Sequence, residues 1–517
     1  MALILYGLLN AAAYSCLLPL WEGWDEGYHY GYVQHLSVTR TFPVLRQTDL
    51  TREIWNAYLT VPVSNYIQAF TGAPLNFSDY AKLDVRDRVR LRQQLESLDP
   101  RLRFESQPGK WNNEAHQAPL PYLWMAPFDW LLRDAPLITR ILWLRLWIAT
   151  AAVVLTALGT RLLAAEMGMP EWAGLVALFW VYSSQMFYAN SCHICNDWLC
   201  VPEMAFLLVA ALRAWKSGTG WFWLGLAYSA AVLTKAHFLA ITPLVLGLPA
   251  MAVWSRRSRL VSSLWLLAPV VTLAVPWYAR NLILYDNLTG MVEATGGLRL
   301  TDYWTAATTM HWMNTITSMA HGSLWTGNNS FTSFSAATLN VILGLLLIGV
   351  GWFISAVHRN RTAAWIVILA IMFYAAGLAF TAVAFYASSK GGLIAPMPWY
   401  AQVLLIPIAL ISIAGMLEIR SPWGWLCASA LTMVWNYVIA ATFFLKLIPL
   451  YGGWGPGRTR ITALANWYAS SGALRDSFLK TTSPASPLVI WILVIAASGS
   501  GLLLTIALVR RGLRDGS

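Results

Sequence analysis

The chain has 517 residues, 57% of them hydrophobic and 11% charged, with a mean hydropathy of +0.53. Soluble domains carry about 25% charged residues, so a water-soluble globular fold is excluded and a bilayer is the solvent this composition fits. The net charge of +11 calls for no nucleic acid, because Lys and Arg collect in cytoplasmic loops, and five Cys make no even disulfide framework.

Apolar windows at 2–20, 141–163, 172–189, 198–215, 221–235, 237–254, 260–278, 337–357, 363–386, 399–417, 422–446 and 487–509 are long enough, or nearly so, to cross a ~30 Å core as helices. The sequence therefore predicts an all-α polytopic membrane protein of about twelve spans. The first window has no basic leader and no small-residue cleavage site, which makes it an anchor rather than a cleaved signal. The segment LPYLWMAPFDWLL at 120–132 reaches only ~20 Å as a helix and carries Pro121, Pro127 and Asp129. If it lies at the membrane surface and the N-terminus is inside, Arg161, Arg213, Lys216, Arg256, Arg257, Arg259, Arg359, Arg361, Arg420, Arg510, Arg511 and Arg514 all fall on the cytoplasmic side. If it spans, all of them move outside, against the positive-inside rule.

That parity puts both termini in the cytoplasm and segments 21–119, 190–197, the turn near 236, 279–336, 387–398 and 447–486 on the extracytoplasmic face. Chemistry is expected there. No nucleotide-binding Gly-rich loop occurs, and no internal repeat of the transporter kind is visible. Within the first outer loop, residues 82–98 read as a solvated helix along the membrane, with acceptor binding as the alternative.

Six polar clusters sit at these outer ends. WEGWDEGYHYGYVQHL (21–36) places Asp25 and Glu26 where a helix leaves the bilayer, followed by His29. The acidic pair either caps the next helix or supplies a general base. Glu114 and His116 precede the membrane-lying segment, and His193 and Asp197 end a span beside Cys192-x-x-Cys195, a weak metal signature. Lys235 and His237 interrupt two apolar windows; a lysine at membrane depth costs about 2.5–3.5 kcal/mol and marks function unless it snorkels to the interface. Arg280 closes another span and suits either a phosphate or lipid headgroups. Lys390 and Tyr400 lie above a late span.

In order, WDEGYHYGYVQHL, EAHQAPLPYLW, CNDWL, LTKAHFLAITPL and PWYARNLILY resemble the motifs of polytopic GT-C glycosyltransferases. The most similar are the polyprenyl-phosphate-sugar-dependent enzymes related to protein mannosyltransferases and the lipid A aminoarabinose transferase. The resemblance covers residues 1–290 and, more loosely, the chain to 420. It implies a catalytic transmembrane module at 1–290, including the outer loop 21–119, followed by an outer loop and C-terminal transmembrane module at 291–517. It implies an inverting transfer of a sugar from a polyprenyl-phosphate donor to a glycan, lipid or protein acceptor, in a bacterial inner membrane with the site extracytoplasmic.

Catalytic roles then map to Asp25 and Glu26, and donor-phosphate contacts to Lys235, Arg280, His116 and His237. His29, Glu114, Asp197, Lys390 and Tyr400 become donor or acceptor contacts. A divalent ion shared by Asp25 and Asp197 is left open, and no other cofactor is implied. The chain departs from the family at Ala118-Pro119, where a double Pro is usual, and at Trp399-Tyr400, where Arg-Tyr is usual. The competing classes are a transporter or lipid flippase, and a polymerase or ligase of lipid-linked glycans.

Overall fold

The computed structural model describes the chain except residues 292–296, 326–333, 357–361, 394–396, 420–422, 455–460 and 516–517. Arg359, Arg361 and Arg420 from the charge count lie outside the described residues. Helices dominate. The exception is a short antiparallel pair, Asp49–Thr51 with Ser106–Trp111, inside the long loop that follows the first helix.

Among the described residues, nine helices are long and apolar enough to cross a membrane, from Leu137–Glu166 to Pro487–Arg510. Two of the expected spans form shorter apolar helices, Ala2–Leu17 and Trp221–Thr234. The window at 172–189 is broken at Ser184, whose extended backbone separates Glu171–Ser183 from Gln185–Ser191. The expected twelve thus resolve into nine long helices, two short ones and one interrupted one. Apolar content alone does not report such a break.

The segment at 120–132 forms the helix Leu120–Leu131, only 12 residues long. It exposes Leu123, Trp124, Trp130 and Leu131 and buries Tyr122, Met125 and Asp129. A buried carboxylate needs partners, and Asp129 has three: it accepts from Tyr30 Oη at 3.0 Å, Ser37 Oγ at 2.5 Å and Arg103 Nη2 at 2.6 Å. Nearby, Arg140 on the first long helix is ion-paired with Glu53. These charges fasten the long loop to the helical bundle.

The helix Val85–Glu96 is docked rather than simply solvated. Arg88 is buried with its guanidinium 4.9 Å from the Phe478 ring, and Arg92 Nη1 donates to Ser483 O at 2.8 Å. The basic residues that suggested a solvated face hold the loop to the segment before the last helix.

The loops assigned to one face do gather at one end of the bundle. Gln117 accepts from Asn196, Lys235 pairs with Asp197, and Ser483 Oγ donates to Leu17 O at 2.9 Å. The opposite end is compact and basic, with Glu166 bridging Arg213 and Lys216 at 2.8 Å each.

Candidate active site

The turn between the first helix and Glu26–Thr39 is shaped by an ion pair. Glu26 pairs with Arg145, a buried guanidinium on the helix Leu137–Glu166. Glu26 Oε2 also accepts from Trp21 N at 3.2 Å and Oε1 from Ile194 N at 3.1 Å, while Arg145 donates to Leu18 O at 2.5 Å and Pro19 O at 2.9 Å. One carboxylate therefore ties together the first loop, a span and the Cys192–Asp197 turn. Gly23 is needed here because a Cβ would stand 2.3 Å from His193 Cγ. Removing either charge leaves the other buried and unpaired, which costs about 3–5 kcal/mol. Glu26→Ala and Arg145→Ala should each lower the unfolding temperature in detergent markedly, whereas an exposed pair such as Arg52–Glu105 should tolerate the same change.

Asp25 is placed differently. It occupies the N-cap position of Glu26–Thr39, yet its side chain makes no capping bond and its φ is +50°. Capping is thus not its role. Non-Gly residues seldom adopt a left-handed backbone, and such strain gathers at functional positions. Burial pushes the Asp25 carboxyl up to about 7; the Glu114 carboxylate adds to the rise and the Lys235 ammonium opposes it. Those interactions put residues 25, 114 and 235 in one electrostatic neighbourhood.

His29 shares a 2.6 Å hydrogen bond between Nδ1 and Tyr122 Oη, and Tyr122 stacks on Tyr32 with centroids 3.9 Å apart. Burial first, then the charges of His193, Lys235 and His116, hold the His29 imidazole well below its ordinary range. It is neutral at physiological pH, so its 3.9 Å approach to Glu114 is a polar contact rather than an ion pair.

Lys235 lies where Trp221–Thr234 ends and the helical stretch Ala236–Trp254 begins, with an extended backbone that breaks the helix. Snorkelling would leave its ammonium in water. Instead the residue is 4% exposed, ion-paired with Asp197 and 4.1 Å from the centroid of Tyr400. The His237 ring is also against Tyr400, with centroids 4.4 Å apart, and His237 Nδ1 is buried without a hydrogen-bond partner among the described residues. Lys235, His237, Tyr400, Gln117 and Trp277 wall a small polar chamber. The chamber shares Ala236, His237, Thr289 and Met291 with an apolar cavity of about 390 Å³ that continues along Leu239, Phe373, Gly377 and Phe380. Phe380 is 58% exposed on the flank of the bundle.

The remaining expected residues are more peripheral. Arg280 donates to Pro43 O at 2.7 Å and stacks 4.7 Å from Trp277, so one indole separates it from the chamber. His116 Nδ1 is 2.9 Å from Asn113 O, and its Cβ sits against Gly290. Lys390 is exposed in a left-handed turn after Thr362–Ser388 and does not line the chamber. Trp399 stacks on Trp24 with centroids 4.2 Å apart, which joins the late span to the Asp25 turn. Arg145 and Tyr122 were not among the expected residues. An arginine inside an apolar window was the available signal for the first; nothing local marks the second.

Among the described residues, no group of three or more His, Cys, Asp or Glu side chains could hold a metal ion. Asp197 is neutralised by Lys235, so an Asp25–Asp197 pair offers a poor donor set for a divalent cation.

Fold and site together define a polytopic helical membrane protein with a buried acid–lysine centre at one end. No family model matches the sequence, and no curated protein does. Among solved structures the chain is similar to ArnT from Cupriavidus metallidurans bound to undecaprenyl phosphate, at 12% identity and a TM-score of 0.47, over 98% of this chain and 75% of that one. It is also similar to the oligosaccharyltransferase AglB from Archaeoglobus fulgidus in complex with an inhibitory peptide and a dolichol-phosphate, at 13% identity and a TM-score of 0.33, over 96% of this chain and 56% of that one.

Proposed function

We propose that the protein is an inverting membrane glycosyltransferase that moves a sugar from a polyprenyl-phosphate donor to an acceptor on the extracytoplasmic face. The observation that carries this is the continuity of two unlike spaces. A polar chamber at Lys235 opens into an apolar cavity walled by Ala236–Trp254 and Thr362–Ser388. A lipid phosphate needs a cation beside a hydrocarbon-lined groove, and that is the juxtaposition present. A soluble sugar nucleotide would have no use for the second space.

In this mechanism the donor phosphate lies beside Lys235 and His237 at the mouth of the chamber, whose own free space of about 10 Å³ holds no more than a water, with the isoprenoid along Leu239, Phe373 and Phe380. The sugar extends toward Asp25. The Asp25 carboxylate takes the acceptor's proton as the acceptor oxygen or nitrogen attacks the anomeric carbon, and the bond from that carbon to the phosphate oxygen breaks. The polyprenyl phosphate leaves with the electron pair, stabilised by the Lys235 ammonium. One displacement inverts the anomeric centre. Arg280 acts from behind Trp277 and contributes less directly, so Arg280→Ala should weaken donor affinity more than maximal rate.

The pH profile follows from Asp25. Only its ionised form is a base, so kcat/KM should rise with pH and level off above about 7, the value to which burial lifts this carboxyl. Stability runs the other way. A carboxyl with a raised folded-state pKa binds its proton more tightly in the folded protein, so its contribution is full in acid and is lost as pH rises through about 7. A rate profile flat from pH 5 to 9 would remove Asp25 as the base.

The direct experiment is mass spectrometry of lipids retained by the protein purified in mild detergent, run beside Asp25→Asn. A polyprenyl-phosphate sugar enriched in the variant supports the proposal. Retention of ordinary phospholipids only, with no sugar released to any glycan, lipid or protein acceptor, would refute it.

A further inference from the structure

A second cavity lies between the end of Glu26–Thr39 and the helix Leu120–Leu131, and its Phe42 wall meets the chamber's Trp277 edge-on with centroids 5.4 Å apart. It encloses about 330 Å³ and is lined by Leu36, Ser37, Arg40, Phe42, Leu123 and Trp130, with Ala126 and Pro127 behind. That volume falls in the range of about 300–1,000 Å³ usual for small-molecule sites. Its walls are apolar and open: Phe42 is 39% exposed, Leu123 46% and Trp130 37%.

The floor is polar but balanced. Ser37 Oγ donates to Asp129 and accepts from Arg103 Nη2, and Arg103 and Arg140 offset Asp129 and Glu53. Unbalanced charge sits only at the rim. Arg40 is exposed, held in a left-handed conformation with φ +58°, and has no ion-pair partner among the described residues. Next to the lining residue Trp130, Arg133 stacks 4.6 Å from the indole and has a 3.6 Å ion-pair contact to Asp134, whose side chain is 90% exposed. Ion pairs so exposed hold little energy, which leaves both guanidiniums available to an anion.

We infer that this trough binds one anionic diacyl lipid, its phosphate between Arg40 and Arg133 and an acyl chain on Phe42, Leu123 and Trp130. Guanidinium forks match phosphate oxygens, and Trp130 has the amphipathic ring favoured at the headgroup level. A free phosphate would use the rim and ignore the walls; a zwitterionic lipid would bring a choline against two arginines. The trough is formed by the same two helices that carry His29, Tyr32 and Tyr122, so an occupying lipid would brace the candidate site from behind. Binding is the readout, so the inference stands or falls apart from the transferase proposal.

The test is thermal unfolding and native mass spectrometry of the full chain in detergent, titrated with dioctanoyl phosphatidylglycerol, dioctanoyl phosphatidylcholine or glycerol 1-phosphate. Phosphatidylglycerol should bind saturably as a single copy and raise the unfolding temperature, with phosphatidylcholine weaker by about tenfold or more and glycerol 1-phosphate without effect. The double variant Arg40→Gln/Arg133→Gln should lose that preference while unfolding at the wild-type temperature without lipid. Phe42→Ala should weaken both lipids alike. Equal binding of the two lipids, protection by glycerol 1-phosphate alone, or wild-type behaviour of the double variant would overturn the inference.

Discussion

Asp25→Asn should abolish sugar transfer while leaving expression, extraction and unfolding temperature essentially unchanged. The carboxylate forms no hydrogen bond to hold the fold among the described residues and makes no capping contact, so its loss removes chemistry and little else. General-base catalysis contributes about 10²–10⁴-fold, and the amide cannot take the acceptor's proton at any accessible pH. Stability should if anything improve at neutral pH, since Asn carries no charge to desolvate. The neighbouring Glu26→Gln is the informative control. Its carboxylate is committed to Arg145 and two backbone amides, so that variant should lose stability first and activity only with it. If Asp25→Asn turns over like wild type, the base is another group, and Glu114 is the one the electrostatics would next support.

Much of the architecture can be read from the sequence because it follows from the bilayer. Hydropathy located the long helices, and the count of cations is what kept 120–132, which forms a helix of 12 residues, out of the span list. What the sequence could not supply is pairing at a distance. Glu26 and Arg145 are 119 residues apart and meet in a buried ion pair, and Asp197 meets Lys235 across 38 residues. Glu26, Asp197 and Lys235, met alone, each read as a candidate site residue, and Arg145 does not. Only the fold separates carboxylates that are neutralised from Asp25, which is not. The break at Ser184 was hidden for a related reason: the surrounding residues 176–183 and 185–191 are buried, so packing rather than composition fixes the backbone there.

Lys235 is the harder residue to test, because one ammonium serves two ends. It neutralises a buried Asp197, and in the proposed mechanism it also meets the departing phosphate. Lys235→Ala alone would strand the Asp197 carboxylate, at about 3–5 kcal/mol of stability, and a dead, unfolding protein would say nothing about catalysis. The double variant Lys235→Ala/Asp197→Asn removes both charges and should recover most of the lost unfolding temperature. Activity should not recover with it. A charge pair at close range is worth about 4 kcal/mol at an effective dielectric near 20, and ~4 kcal/mol of transition-state stabilisation corresponds to almost a thousandfold in rate. Asp197→Asn by itself leaves the buried ammonium without its carboxylate, so it should lose stability as Lys235→Ala does, and added anionic donor should restore part of that loss by taking the vacated place. Recovery of turnover together with stability in the double variant would mean that Lys235 only holds Asp197 in place, and the leaving phosphate would have to be stabilised from Arg280 instead.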